Sequence, residues 1–294
     1  MTKIEATLAT THVDLHGERM TVGALQSMVD AVNASYIPMG IEHDPRIPPR
    51  GRVVKAWLEE LPDGATAVKA LIEVFDGAIA PQPQDDTREY RTKSFDAEHL
   101  LISFDRNFRD AEDQEILSGL ARSLNATLQE EFKKAFDAIS VLAIGGAFIL
   151  GGIAKGFLSK VGSDGYELLK SSLKKLFGRP KQGEKDRLLM LEFEIERFGE
   201  RTVIEVIASN PAPLDIDRLL SVELQRLDKL VDRYFSANVG LKKLVFELEK
   251  NGITLKFGVR RDAVPLVFKS KENRKPNNAL RRTRKKPRAD ERQR

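Results

Sequence analysis

Val13-Asp14-Leu15-His16-Gly17-Glu18-Arg19, then Ile41-Glu42-His43-Asp44-Pro45, then Pro48-Pro49-Arg50-Gly51-Arg52-Val53: this succession decides how the first third of the chain is read. Between the first two segments, residues 21–34 carry Val22, Leu25, Val29 and Val32 at helical spacing, with Thr21 placed as N-cap. Around them, residues 4–8, 52–58 and 67–74 alternate like half-buried strands. Leu61-Pro62-Asp63-Gly64 is a turn signal that joins the last two into a hairpin. Residues 80–86, rich in Pro, Gln and Asp, read as a loop, and residues 99–104 as a closing strand. The region 1–108 is therefore expected to be β-rich with one short helix.

The His-Asp-Pro followed by a Pro-Pro-Arg-Gly-Arg-Val strand resembles the start of the serine proteases that mature tailed-phage proheads, a family related to the herpesvirus assemblins. The resemblance covers roughly the first third of the chain. It implies a protease domain with His43 as catalytic base and a protein as substrate. In the family the nucleophile lies some tens of residues later, on a strand, with an aromatic or aliphatic residue straight after it. Ser94 in Thr92-Lys93-Ser94-Phe95 and Ser103 in Leu101-Ile102-Ser103-Phe104 both fit. Ser94 is preferred, because residues 99–104 then supply the strand that follows the family's nucleophile. The glycine usual near that serine is missing at both places. A serine peptidase also needs a group that orients its base. Glu98, Asp105 and, on the assemblin pattern, His99 are candidates, and none is assigned. Pro45 favours an extended Asp44, so that His43 is expected at a strand or strand end.

Composition narrows the classes. At 294 residues the chain accommodates about two domains of ~100–200 residues. A hydrophobic fraction of 41% and a charged fraction of 31% are those of an ordinary globular protein. With 0 Cys, disulfides, thiolate metal sites and Cys nucleophiles are excluded. Of the four histidines (His12, His16, His43, His99) only His12 and His16 stand four apart, in a Thr/Asp/Gly-rich turn region rather than on a helix face, so no metal and no cofactor is expected. The start of the chain has no charged segment leading into an apolar core, which predicts no signal peptide and a cytoplasmic location. The net charge of +4 is concentrated in residues 269–294, which hold only three acidic residues and should be disordered.

In the region 109–180, residues 112–139 carry Ile116, Leu120, Leu124, Leu128, Phe132 and Phe136 four apart, which predicts one amphipathic helix. It runs into the uncharged apolar stretch 138–154, read either as a transmembrane helix or membrane-dipping hairpin, or as a buried or oligomerising core segment. In the region 181–268, strands are expected at 188–196 and 202–208, and a helix from 215 to about 235. A hairpin follows at 244–248 and 253–259 around Asn251-Gly252.

The expected fold class is α+β: a β-rich protease-like domain, a central hydrophobic helical segment, a C-terminal ββαββ domain and a basic tail. Two functions follow. The first is a prohead-protease-like endopeptidase acting through His43 and Ser94. The second is a non-enzymatic, membrane-associated or oligomeric interaction protein in a mobile-element or phage-defence setting. The expected partners are a protein substrate or partner, a membrane through 138–154, anionic lipid or nucleic acid through the tail, and further copies of the chain.

Overall fold

Strands form where residues 4–8, 52–58 and 67–74 alternate. β1 (Thr2–Thr10), β2 (Ile37–Met39), β3 (Gly51–Glu60) and β4 (Thr66–Val74) make an antiparallel sheet in the order β1-β4-β3-β2. Gly64, at φ +81°, closes the β3–β4 hairpin with a backbone that favours glycine. Helix α1 (Val22–Ala34) starts at Thr21, whose hydroxyl accepts the Ala24 N–H at 3.1 Å. Its Leu25, Val29 and Val32 pack on Val53, Ala56, Val68, Ala70 and Ile72. The computed structural model describes residues 2–13, 17, 19–40, 44–75, 86–96, 98–131, 139–148, 152–179, 186–197, 199–237 and 240–268. His43, residues 132–138 and the basic tail lie outside them.

The second sheet has eight strands. They are β5 (Leu100–Phe104), β6 (Ala126–Glu130), β7 (Ile139–Ala147), β8 (Asp186–Arg197), β9 (Glu200–Ser209), β10 (Leu241–Glu249), β11 (Gly252–Arg260) and β12 (Pro265–Val267). Their order is β12-β11-β10-β9-β8-β7-β5-β6. Three strand–helix–strand units recur, each with parallel neighbouring strands: β5 and β6 around α2 (Ala111–Ser123), β7 and β8 around α3 (Ile153–Gly178), and β9 and β10. The last pair is joined through α4 (Pro213–Arg218), a π turn (Leu219–Glu223) and α5 (Leu224–Ala237). All these helices cover one face, against Leu142, Ile144, Leu189, Leu191, Phe193, Ile204 and Val206. The expected strands at 188–196 and 202–208, the helix beyond 215 and the Asn251-Gly252 hairpin are all present, in one sheet with β5, β6 and β7.

Two expectations are corrected. The stretch 138–154 is not a transmembrane helix. Its residues 139–147 are β7, a central strand buried on both faces, and no helix among the described residues is long and apolar enough to cross a membrane. Strands covered on both faces lose their alternation and read as continuous apolar runs. Nor is 112–139 one helix. It ends at Ser123, Asn125 takes a left-handed conformation (φ +49°), and β6 follows. The strand at 99–104 forms too, but inside the large sheet.

The other face of the large sheet carries Ile139, Val141, Ala143, Leu188, Ile207, Val245, Phe257 and Val259. Polar bonds link it to the small sheet. Buried Arg52, from the Arg-Gly-Arg-Val segment, donates Nε to Glu73 and Nη1 to the Asp262 carbonyl, each at 2.7 Å. Arg46 reaches Asp186 at 2.9 Å and Ser209 at 3.2 Å.

Candidate functional site

Residues 86–96 cross this face as a strap between the two sheets. The Tyr36 hydroxyl donates to Asp86 at 2.5 Å, and the Tyr36 N–H to the Glu89 carbonyl at 3.2 Å. Burial, then the bond to Asp86, pushes the Tyr36 hydroxyl up to about 12. The Tyr90 N–H donates to the Arg261 carbonyl at 2.6 Å, and the Phe95 N–H to Glu194 Oε2 at 2.8 Å. Phe95 lies on Gly145 of β7, where an added Cβ would stand 2.4 Å from its ring. Glycine is required there by that close approach.

Beneath the strap, Glu192 of β8 and Glu205 of β9 stand directly opposite each other, both buried. Lys243 of β10 pairs with Glu205 at 2.5 Å, and Lys93 of the strap with Glu192 at 3.3 Å. Burial, then the neighbouring Glu205, pushes Glu192 up to about 7 against the opposing pull of Lys93 and Lys243. Burial pulls the Lys243 ammonium down, but Glu205, Tyr90 and Glu192 outweigh it and leave it raised. Glu205 Oε2 has no hydrogen-bond partner among the described residues. A carboxylate near 7 suits proton transfer, but the groove described next is lined by Glu194, not by Glu192 or Glu205. The cluster thus acts as an electrostatic clamp on the strap.

Above it opens a groove of about 480 Å³, lined by residues 87–94 with Ala34, Glu194, Arg201 and Lys242. Its charges are largely matched internally: Lys242 meets Glu89 and Glu200, Arg201 meets Glu194, and Arg88 meets Asp86. The main chain is not matched. The N–H groups of Thr92, Lys93 and Ser94 make no hydrogen bond to a described residue, while those of Tyr90 and Phe95 do and that of Arg91 faces the Tyr36 carbonyl across the parallel Tyr36–Tyr90 bridge. A second groove, about 570 Å³ between α3 and α5, is lined in part by Asp228. That carboxylate already caps the start of α3 through the Ile153 and Ala154 N–H groups, so no anion is needed there.

The sequence-derived candidates fall in different places. Ser94 is exposed, on the strap rather than on a strand, at the wall of the first groove. His43 lies outside the described residues. Asp44, which follows it, pairs with Arg46 at 2.7 Å, and Arg46 pairs with Asp186. Asp186, reached from Asp44 through Arg46, and Glu194, which accepts the N–H of Phe95 next to Ser94, are eight residues apart on β8, about 26 Å along the strand. Ser103 is buried mid-sheet between β6 and β7. Asp105 accepts the Val141 N–H at 2.6 Å and the Asn107 N–H at 2.9 Å, a structural use. The His99 ring lies 3.2 Å from the Asn125 amide, and Glu98 is exposed. No hydrogen bond joins Glu98, His99 or Asp105 to Ser94 or Ser103 among the described residues. No cluster of three or more His, Asp or Glu able to hold a metal occurs among them either.

Reading the sequence missed Glu192, Glu205, Lys243, Tyr90 and Lys93. One signal was present. Glu205 stands alone inside the apolar run Val203-Ile204-Glu205-Val206-Ile207, and a lone carboxylate in a strand buried on both faces needs partners. Compared with family models, with curated proteins and with solved structures, the chain matches none.

Proposed function

We propose that this protein is a non-enzymatic interaction protein whose strap groove receives an extended segment of a protein partner. The observation that carries this reading is the run of three successive backbone N–H groups, residues 92–94, without a hydrogen-bond partner among the described residues beside an open groove. Main-chain donors in that state accept an incoming strand, and the side chains around them select its sequence. Arg91, which has no ion-pair partner among the described residues, would favour an acidic position. The buried clamp below serves this role, because a rigid strap spends less ordering entropy on binding.

Panning a random-peptide display library on the full chain tests the proposal. Peptides enriched on the wild type and lost on Thr92→Pro support it, since proline removes one of these N–H groups. Failure to enrich, or enrichment indifferent to Thr92→Pro, overturns it.

A second reading, the prohead-protease-like endopeptidase, is favoured by one observation: Ser94 is exposed on the wall of the same groove. Against it stands the separation between the Asp44 and Ser94 ends of β8. A fluorophosphonate probe followed by intact mass decides. Labelling that disappears in Ser94→Ala and His43→Ala supports the enzyme, and absence of labelling supports the binding protein.

A further inference from the structure

β1 is the edge of the small sheet. It pairs with β4 on one side and with no described strand on the other. Residues Thr2–Glu5 are exposed, and Ile4 is 46% exposed, at a position where α1 does not cover the sheet. Lys3 and Glu5 have no ion-pair partner among the described residues. A register shift between Thr7 and Ala9 interrupts the strand, leaving residues 2–7 as its regular part.

From this we infer that β1 is a homodimer contact, pairing antiparallel with β1 of a second copy about a two-fold axis through Ile4. Such pairing sets each residue i opposite residue 8 − i of the other chain. Lys3 then faces Glu5, Glu5 faces Lys3, and Ile4 meets Ile4. Directly opposed side chains have Cβ atoms about 4.5–5.5 Å apart, so both ion pairs form on one face while the two isoleucines cover each other on the other. The register is self-consistent whichever way the β1 hydrogen bonds point. A residue opposite its own copy is either doubly bonded or flanked by bonded pairs. Parallel self-pairing in register would instead set Lys3 beside Lys3 and Glu5 beside Glu5, which disfavours it. The contact is isologous and closes at two copies, and the two small sheets become one of eight strands.

The test uses the full chain and its charge reversals in sedimentation velocity across a concentration series. The wild type is expected to run at twice its 33.0 kDa mass at high concentration. K3E sets Glu against Glu in both pairs, and E5K sets Lys against Lys. Each alone should weaken the dimer at least about tenfold. Mixed in equal amounts, the two variants are complementary again and should form a heterodimer. The double variant K3E/E5K should also return to a dimer. Both positions are exposed, so an unchanged melting temperature of the variants confirms that folding is not what is read. A monomeric wild type overturns the inference, as does a dimer indifferent to K3E and E5K, or a mixture that fails to associate.

Discussion

Gly145→Ala places a methyl group where the Phe95 ring now lies. The new Cβ would stand 2.4 Å from Phe95 Cε1, 2.9 Å from Cζ and 3.0 Å from Glu192 Cβ. Carbon atoms rest at about 3.5–4.0 Å, so the ring must retreat by roughly 1 Å. It has little room, because Phe95 is buried and its own N–H is tied to Glu194 at 2.8 Å. Overpacking of this kind costs about 1–3 kcal/mol, and relief of the glycine's chain entropy returns ~0.5–1 kcal/mol. The net expectation is a loss of up to about 2.5 kcal/mol, which lowers the melting temperature by up to ~10 °C at the usual ~2–4 °C per kcal/mol. Urea denaturation of the wild type, Gly145→Ala, Phe95→Ala and the double variant isolates the contact. Phe95→Ala alone should cost ~3–5 kcal/mol. In its background Gly145→Ala should cost less, since only the 3.0 Å approach to Glu192 Cβ then remains. An equal cost of Gly145→Ala with and without the Phe95 ring would refute the packing of the strap on β7.

Three further outcomes follow from the same contacts. Glu192 is an acid whose folded pKa, about 7, lies above the ordinary carboxylate value. Between roughly pH 4.5 and 7 the folded state therefore holds a proton that the unfolded state has lost, and this group's contribution to stability falls as pH rises through that window. Thermal melts at pH 5.5 and 7.5 should show that fall, and Glu192→Gln should flatten it. Arg52→Ala strands Glu73 as a buried unpaired carboxylate and frees the Asp262 carbonyl, so a loss of about 3–5 kcal/mol is expected in chemical denaturation. Asp105→Ala removes the acceptor of the buried Val141 N–H. It should cost ~1–3 kcal/mol by the same assay.

Local chemistry was legible wherever it alone decides. The Thr21 cap, the turn at Gly64 and the Asn251-Gly252 hairpin, with Gly252 at φ +115°, all form where turn and cap residues point. Periodicity failed where burial on both faces erased it. β7 carries Val141 and Ala143 toward the strap and Leu142 and Ile144 toward the helices, so 138–154 has no polar face to distinguish a strand from a membrane helix. Gly145 and Gly146 were its one tell. Phe95 closes on Gly145, while Leu100 and Phe148 close on Gly146. The four-residue spacing in 112–139 misled for a different reason. Leu128 belongs to β6, where its place in the pattern is coincidental and the left-handed Asn125 has already ended the helix. The clamp was not legible, because Lys93 meets Glu192 across 99 residues and nothing local marks either side chain for the other.

Hydrogen exchange at single-amide resolution on the full chain tests the central claim most directly. The account predicts protected amides at Tyr90 and Phe95, fast exchange at Thr92, Lys93 and Ser94 between them, and slowing within that run when a selected peptide is added. Three amides already protected in the free protein, or left unchanged by a bound peptide, would contradict it.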